Sequence, residues 1–239
     1  MEISLIQSTV HDIPDLVRVH TAAFKADQFS NFMLDGREEN AHQVLMQKSI
    51  KIWLADPTSK LVKAVASDGT VVGWTCWLAK GKDDTSETLP QPQSLKAPND
   101  SETSSVDLSV QQKKEKPRTP AQLLGRLMHS DSMKWEKDSM KGKRYLTIQA
   151  LATNPSFQCQ GIGSKLIKWG TDMADAEGLP CWAHASPAGH HLYTRAGFSE
   201  LGRSEYDLEK FSDGDRGWGR YSFRYMQRPA LDKRKFQVF

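Results

Sequence analysis

One short run, Gln158-Cys159-Gln160-Gly161-Ile162-Gly163-Ser164, constrains the fold more than any other part of the chain. It stands between a strand-like stretch, Tyr145–Thr153, and a helix-like stretch that begins near Ile162. A strand, a glycine-containing loop and a helix N-terminus in succession build an anion site. The loop lets main-chain N–H groups converge, and the helix dipole favours negative charge at that end. The run therefore predicts a phosphate-bearing cofactor held by main chain.

The common nucleotide patterns do not fit. A dinucleotide fingerprint G-x-G-x-x-G needs glycine at position 166, which is Leu166, and no acidic ribose-binding residue is clearly placed downstream. A Walker loop fails too: Gly163 is followed by Ser164 and Lys165, and Gly142-Lys143 has Lys137 where the first glycine belongs.

The 239 residues suit one large domain or a domain with an insertion, and 38% hydrophobic residues permit a core. A net charge of +3 is too small to argue for nucleic acid as a partner. Cys76, Cys159 and Cys181 form neither a disulfide framework nor a zinc pattern, which favours a reducing compartment. Residues 1–9 do not read as a signal peptide, and no run approaches the ~18 apolar residues of a membrane span. His190-His191 lacks a spaced third ligand, and adjacent residues do not share a helix face, so no metal site is expected. These features predict a cytoplasmic protein with neither membrane nor nucleic acid as partner; its oligomeric state is left open.

Periodicity organises the rest. Residues 3–6 read as an edge strand. Asp12 caps a helix with Pro14 in its first turn, and a second helix spans 38–54 through Leu45, Met46, Ser49, Ile50 and Trp53. Strands at 61–66 and 70–78 join across Asp68-Gly69, a hairpin signal. Residues 79–118 are rich in Ser, Pro, Asp, Lys and Gln and lack aromatics, which predicts a flexible polar insertion. Thr119 and Gln122 form a capping box with Pro120 at the first helical position, and Leu123, Leu124, Leu127, Met128 and Trp135 are taken as that helix's buried face. Then follow the Tyr145–Thr153 strand, a helix carrying Ile162, Leu166, Trp169 and Met173, and a strand at Cys181–Ala185. Next come a short helix capped by Ser186 with Pro187 at its first position, and closing strands at 198–208 and 221–226. The expected fold is an α+β domain over 1–228, a mixed and mostly antiparallel central sheet flanked by helices. The polar insertion falls between the third and fourth strands, and 229–239 form a basic C-terminal tail.

Gln158, Gly161 and Gly163 fill the fixed positions of [Q/R]-x-x-G-x-[G/A], and residues 192–198 (LYTRAGF) follow the pattern L-Y-x-[KR]-x-G-F. With the strand LTIQALATNP ahead of them, these motifs resemble the GNAT acetyltransferases, closely over 144–200 and loosely elsewhere. The segment 181–198 is most similar to fungal small GNAT proteins. The resemblance implies acetyl-CoA as co-substrate, without a metal, and transfer of its acetyl group to a primary amine in a ternary complex. A small-molecule amine is the first choice of acceptor. A protein lysine or N-terminus is the second, and a non-catalytic CoA-binding sensor or interaction module the third.

The resemblance also implies site residues. Cys159, Gln160, Gly161, Ile162, Gly163 and Ser164, with Gln158, would hold the pyrophosphate. Leu151, Ala152 and Thr153 would pair with the pantetheine arm, and a main-chain N–H there would polarise the thioester carbonyl. Tyr193 takes the general-acid position, where a phenol keeps its proton at neutral pH. Ser186 stands where the family often has Asn, which leaves its hold on the arm in doubt. His184, Glu38 and Glu39 are candidate bases, beside a water relay. Each has a plainer reading: Tyr193 as core, Trp53, Trp74 and Trp77 as core packing instead of the lining of a pocket for an aromatic or apolar amine, His184 as an ordinary strand residue, Cys159 as an inert thiol instead of a redox switch.

Overall fold

The computed structural model describes residues 2–81, 119–212, 214 and 216–231. Its strands are β1 (Ile3–Gln7), β2 (Ser59–Ala66), β3 (Val71–Lys80), β4 (Tyr145–Thr153), β5 (Cys181–Ala185), β6 (Ser199–Asp207) and β7 (Arg220–Arg228). Its helices are α1 (Ile13–Phe24), α2 (Gln28–Leu34), α3 (Ala41–Ala55), α4 (Pro120–Met140), α5 (Ile162–Glu177) and α6 (His190–Arg195). One mixed sheet runs in the order β1-β2-β3-β4-β5-β7-β6, with β4 and β5 parallel and the other pairs antiparallel. This is the α+β architecture expected from the sequence, with β1 at one edge.

Strand alternation divides the core between the two faces. On one, Trp77, Ile148 and Ala183 pack with Ile167 of α5 and Tyr193 of α6. On the other, Trp74 and Cys76 pack with Leu16 of α1 and Ile50 of α3, and the Trp74 indole N–H donates to the Leu16 carbonyl at 2.8 Å. The α4 helix shares this second face, where Trp135 and Met140 meet Tyr145, Trp182 and Tyr225. Its start is the expected capping box: the Thr119 hydroxyl accepts from Gln122 N–H, and the Gln122 side chain accepts from Thr119 N–H.

Several expectations need correction. Ala79 and Lys80 belong to β3, paired with Leu146 and Tyr145, so the polar segment begins later than residue 79. Residues 82–118 and 232–239 lie outside the described residues, and so do the expectations placed on them. The second helix opens at Ala41, and the short α2, capped by Asp27, was not read from the sequence. Leu123 and Leu127 are exposed, at 47% and 44%, because α4 buries the row Leu124, Met128, Glu136 and Met140 instead. The last helix starts at His190, since Ser186 to Gly189 form a turn in which the Ser186 hydroxyl accepts from Gly189 N–H. Among the described residues, no helix is long and apolar enough to cross a membrane.

Candidate active site

The β4 and β5 strands separate like a fork. They pair at Leu146↔Cys181, Thr147↔Trp182 and Ile148↔Ala183, and no further. Beyond that point β4 runs on to Thr153 and β5 to Ala185. On the β3 side, Ile148 pairs with Trp77 and Ala150 with Cys76, so Gln149 is an extra residue. Such a bulge bends and twists its strand, and here it coincides with the divergence. Leu151, Ala152 and Thr153 keep their β3 partners Thr75, Trp74 and Gly73, but among the described residues their other edge has no strand beside it.

The loop that leaves β4 is shaped by local chemistry. Asn154 caps the turn at Pro155–Phe157 by accepting from Ser156 N–H. The Gln158 amide donates to the Thr153 carbonyl at 3.1 Å, tying the loop back to the strand end. Cys159 and Gly161 both adopt left-handed backbone, with φ of 59° and 79°. That geometry turns successive N–H groups toward a common concavity. Gly161 is the residue before α5, and no side chain caps this helix. The first N–H groups of α5, at Ile162, Gly163 and Ser164, have no intrahelical acceptor. Gly161 is needed for its backbone angle, whereas Gly163 is needed for space: a Cβ there would stand 2.8 Å from a methyl of Leu192 on α6. The loop can hold a phosphate, and its expected donors are brought together.

Tyr193 lies on the same sheet face as α5. Its ring is buried in the cluster that holds Ile148 and Ile167 and that Leu151 flanks, 5.7 Å from the Phe198 ring centroid. Its hydroxyl makes no hydrogen bond among the described residues. Burial pushes its ionisation well above the ordinary phenol range, so it carries its proton at neutral pH. The Ser186 hydroxyl is engaged with Gly189 N–H at 3.3 Å, which makes it a turn former.

A cleft of about 380 Å³ opens on the opposite face, at the fork. Gln149 and His184, the first residues past the last β4–β5 pair, both line it. Phe29 of α2 and Gly125, Met128, His129, Ser132 and Met133 of α4 form its far wall, with Trp182 on the sheet side. Glu136 lies on its wall, accepting from Lys80 Nζ at 2.9 Å and from the Tyr145 hydroxyl at 3.0 Å. The His184 ring packs between Phe223 and Tyr225, at centroid distances of 4.2 and 5.3 Å. Its Nε2 is buried without a hydrogen-bond partner, and burial lowers its pKa to about 4.

Other candidates lie elsewhere. Glu38 and Glu39 stand on an exposed segment ahead of α3 and are not among the residues of this cleft. Trp74 and Trp77 are fully buried core residues, and Cys159 is an exposed free thiol. Phe29, Gln149 and Glu136 were missed by sequence reasoning. Only Glu136 had a legible signal: a lone carboxylate on the i, i+4 row Leu124, Met128, Ser132, Glu136 and Met140.

Comparison with known proteins places this geometry. Residues 130–200 match the family model of the acetyltransferase (GNAT) domain. No curated protein matches the chain. Arylalkylamine N-acetyltransferase 2 from Aedes aegypti superposes with a TM-score of 0.62 at 15% identity, covering 96% of this chain and 99% of that one. A histone acetyltransferase HPA2 and related acetyltransferase from Corynebacterium glutamicum gives 0.53 at 17% identity, covering 98% and 99%. A phosphinothricin acetyltransferase from Sinorhizobium meliloti, in complex with AcCoA, gives 0.54 at 13% identity, covering 96% and 89%. At these identities the likeness is one of fold, and the fold is that of the GNAT acetyltransferases.

Proposed function

We propose that this chain is an acetyl-CoA-dependent N-acetyltransferase that moves the acetyl group directly to a primary amine of a small molecule. The observation that carries this reading is the fork. Its unpaired β4 edge, Leu151 to Thr153, leads into a loop of unsatisfied N–H donors, and Tyr193 belongs to the cluster beneath it. The match of residues 130–200 covers these parts. Amine acetylation by the Aedes aegypti protein, as its name states, supports the choice of acceptor class.

The residues present suit the co-substrate. Main-chain N–H groups from Cys159 to Ser164 would receive the pyrophosphate, which needs converging donors and little side-chain bulk. The open edge at Leu151 to Thr153 offers peptide groups to the amides of the pantetheine arm, and an N–H there would stabilise charge developing on the carbonyl oxygen. Bound acetyl-CoA supplies the activated acetyl group. The amine nitrogen forms its C–N bond as the C–S bond breaks, Tyr193 gives its proton to the departing sulfur, and the proton lost by nitrogen restores the phenol. The products are the amide and free CoA thiol, and nothing is oxidised or reduced. The free thiols of Cys76, Cys159 and Cys181 support a reducing compartment.

The test is isothermal titration with acetyl-CoA, with NADH and ATP as controls, followed by free-thiol release in the presence of amines. Binding of acetyl-CoA alone, with amine-dependent thiol release, is the expected result. Absence of acetyl-CoA binding would overturn the reading. Binding without transfer to any amine would favour a CoA-binding sensor.

A further inference from the structure

We infer that β1 is a self-pairing edge: two copies of this chain join antiparallel through Ile3–Gln7, about a two-fold axis at Leu5, and make one continuous sheet. This inference is independent of the acetyltransferase reading and adds a partner to the fold.

The chemistry of the edge is the first argument. An edge strand offers unpaired N–H and C=O groups, and proteins protect such edges with charges, prolines or bulges. The far edge, β6, is protected in this way. It carries Glu200, Arg203, Glu205 and Asp207, with a register shift between Glu200 and Gly202. The sequence of β1 is Ile-Ser-Leu-Ile-Gln, without charge or proline, and its pairing with β2 is regular.

The direction of the backbone is the second. Ser8 N–H donates to the Leu61 carbonyl at 2.9 Å, and Gln7 pairs with Val62. In an antiparallel ladder, residues that bond inward alternate with residues that bond outward. Ser8, Ile6 and Ser4 therefore face β2. Gln7, Leu5 and Ile3 present their N–H and C=O groups to the other side, where no strand lies among the described residues. A two-fold at Leu5 sets Leu5 against Leu5 of the second copy and Ile3 against its Gln7, outward residue to outward residue. Ser4 then stands opposite Ile6 of the second copy.

The side chains are the third. Ile3 and Leu5 are only partly buried, at the margin of the cluster that holds Ile162 and Leu166 of α5. On the other face, Ile6 is opposite Lys63, which is opposite Trp74. Ile6 is 47% exposed, and Val10, just past the strand, 62%. Apolar side chains thus run to the edge on both faces and stop half-covered, where a further strand would continue each layer. Charge favours a like partner. The Lys63 ammonium beside Ile6 is held by Asp12, and the two copies of Glu2 fall at opposite ends of the pair. Self-pairing about a two-fold therefore sets no like charges directly across the strands.

Size sets the strength. Stable complexes bury about 1,200–2,000 Å² of surface, and a strand of five residues supplies less, so the dimer exchanges with the monomer. The β2 and β3 strands separate this edge from β4, so the candidate site stays open in both copies.

The experiment uses the full chain. Sedimentation velocity over about 1–500 μM, the range in which so small an interface half-forms, is read beside hydrogen exchange of residues 1–10 and 199–207. The expected result is a shift from monomer to dimer as concentration rises, with slower exchange of the Leu5 and Gln7 amides and no change in β6. Two variants test the contact. Ser4→Lys sets a charge at an exposed position, against Ile6 of the second copy. Gln7→Pro deletes an outward N–H that β2 does not use. Each should raise the dissociation constant about tenfold or more, roughly the loss of one hydrogen bond or the addition of a like-charge contact. Melting temperature and acetyl-CoA affinity should stay at parent values, and Ser4→Lys keeps the test decisive if proline disturbs the fold. A parent that stays monomeric throughout, with unprotected amides, would overturn self-pairing and leave the edge to a strand of another protein. A dimer that Ser4→Lys leaves intact, or protection confined to β6, would put the interface elsewhere and overturn it equally.

Discussion

Gly170 on α5 lies against the indole of Trp77 on β3, so closely that a Cβ at position 170 would be driven into the six-membered ring. Trp77 is fully buried and has nowhere to retreat. This contact fixes the depth at which α5 docks on the sheet, and with it the position of the loop at the helix N-terminus.

Gly170→Ala should therefore destabilise the protein. In an exposed helix interior the same change stabilises by about 1 kcal/mol. Here overpacking should reverse the sign and leave a net loss of about 1–3 kcal/mol, measured by denaturant unfolding. A gain in stability would show that α5 does not rest on Trp77 in solution.

Gly161 tests the loop by another route. Its φ of 79° is left-handed, and nothing lies within 4 Å of a Cβ placed there. Gly161→Ala should cost about 1 kcal/mol through backbone strain alone, while Gly161→Glu should in addition abolish acetyl-CoA binding by setting negative charge among the N–H donors. Titration of both variants separates strain from charge; equal affinities would place the phosphates elsewhere.

Tyr193→Phe removes a hydroxyl that has no hydrogen-bond partner among the described residues, so the fold should hold to within about 0.5 kcal/mol. Turnover should fall by about 10²-fold, a usual contribution of a general acid, with acetyl-CoA affinity unchanged. A parent-like rate across the pH range would leave Tyr193 as a core residue only.

Acid should weaken the fold through the α1–α3 contact. His20 is buried beside Phe24, and its Nδ1 lies 2.9 Å from His42 Nε2. Burial, then the neighbouring His42, lowers the pKa of His20 from 6.5 to about 3. The unfolded chain thus binds a proton that the folded one refuses, so stability is complete above about pH 6.5 and declines as pH falls toward 3. At pH 5 the loss from this residue is about 2 kcal/mol. Unfolding at pH 7.5 and pH 5 measures it, and His20→Phe should shrink the difference; an undiminished difference would assign the acid sensitivity to other groups.

Much of this was legible in the sequence, where the signal is local. The Thr119–Gln122 box, the Asp68-Gly69 hairpin and the Gln158–Ser164 loop each depend on residues a few positions apart, and each has its expected form. The burial of α4 was misread because its inward row carries Ser132 and Glu136, while Leu123 and Leu127 face solvent. Hydrophobicity alone selects the wrong stripe when a buried carboxylate finds partners, here Lys80 and Tyr145, on other elements. Gln149 gave no warning, since a bulge is a relation between two strands. The cleft draws on positions 29, 125–136, 147–149 and 182–184, which only the packing of α2 and α4 brings together.

The order of strands at the far edge has a consequence for how the chain is made. The last strand among the described residues, β7, lies between β5 and β6. Until it arrives, β6 has no neighbour to join, and His184 lacks both aromatic rings that enclose it, Phe223 and Tyr225. On a ribosome the 158–164 loop and α5 emerge well before residue 220, so the loop side of the candidate site can form while the His184 side waits for β7. Insertion of β7 is a non-local pairing, the slow kind, and it completes the sheet and the wall behind His184 in a single act.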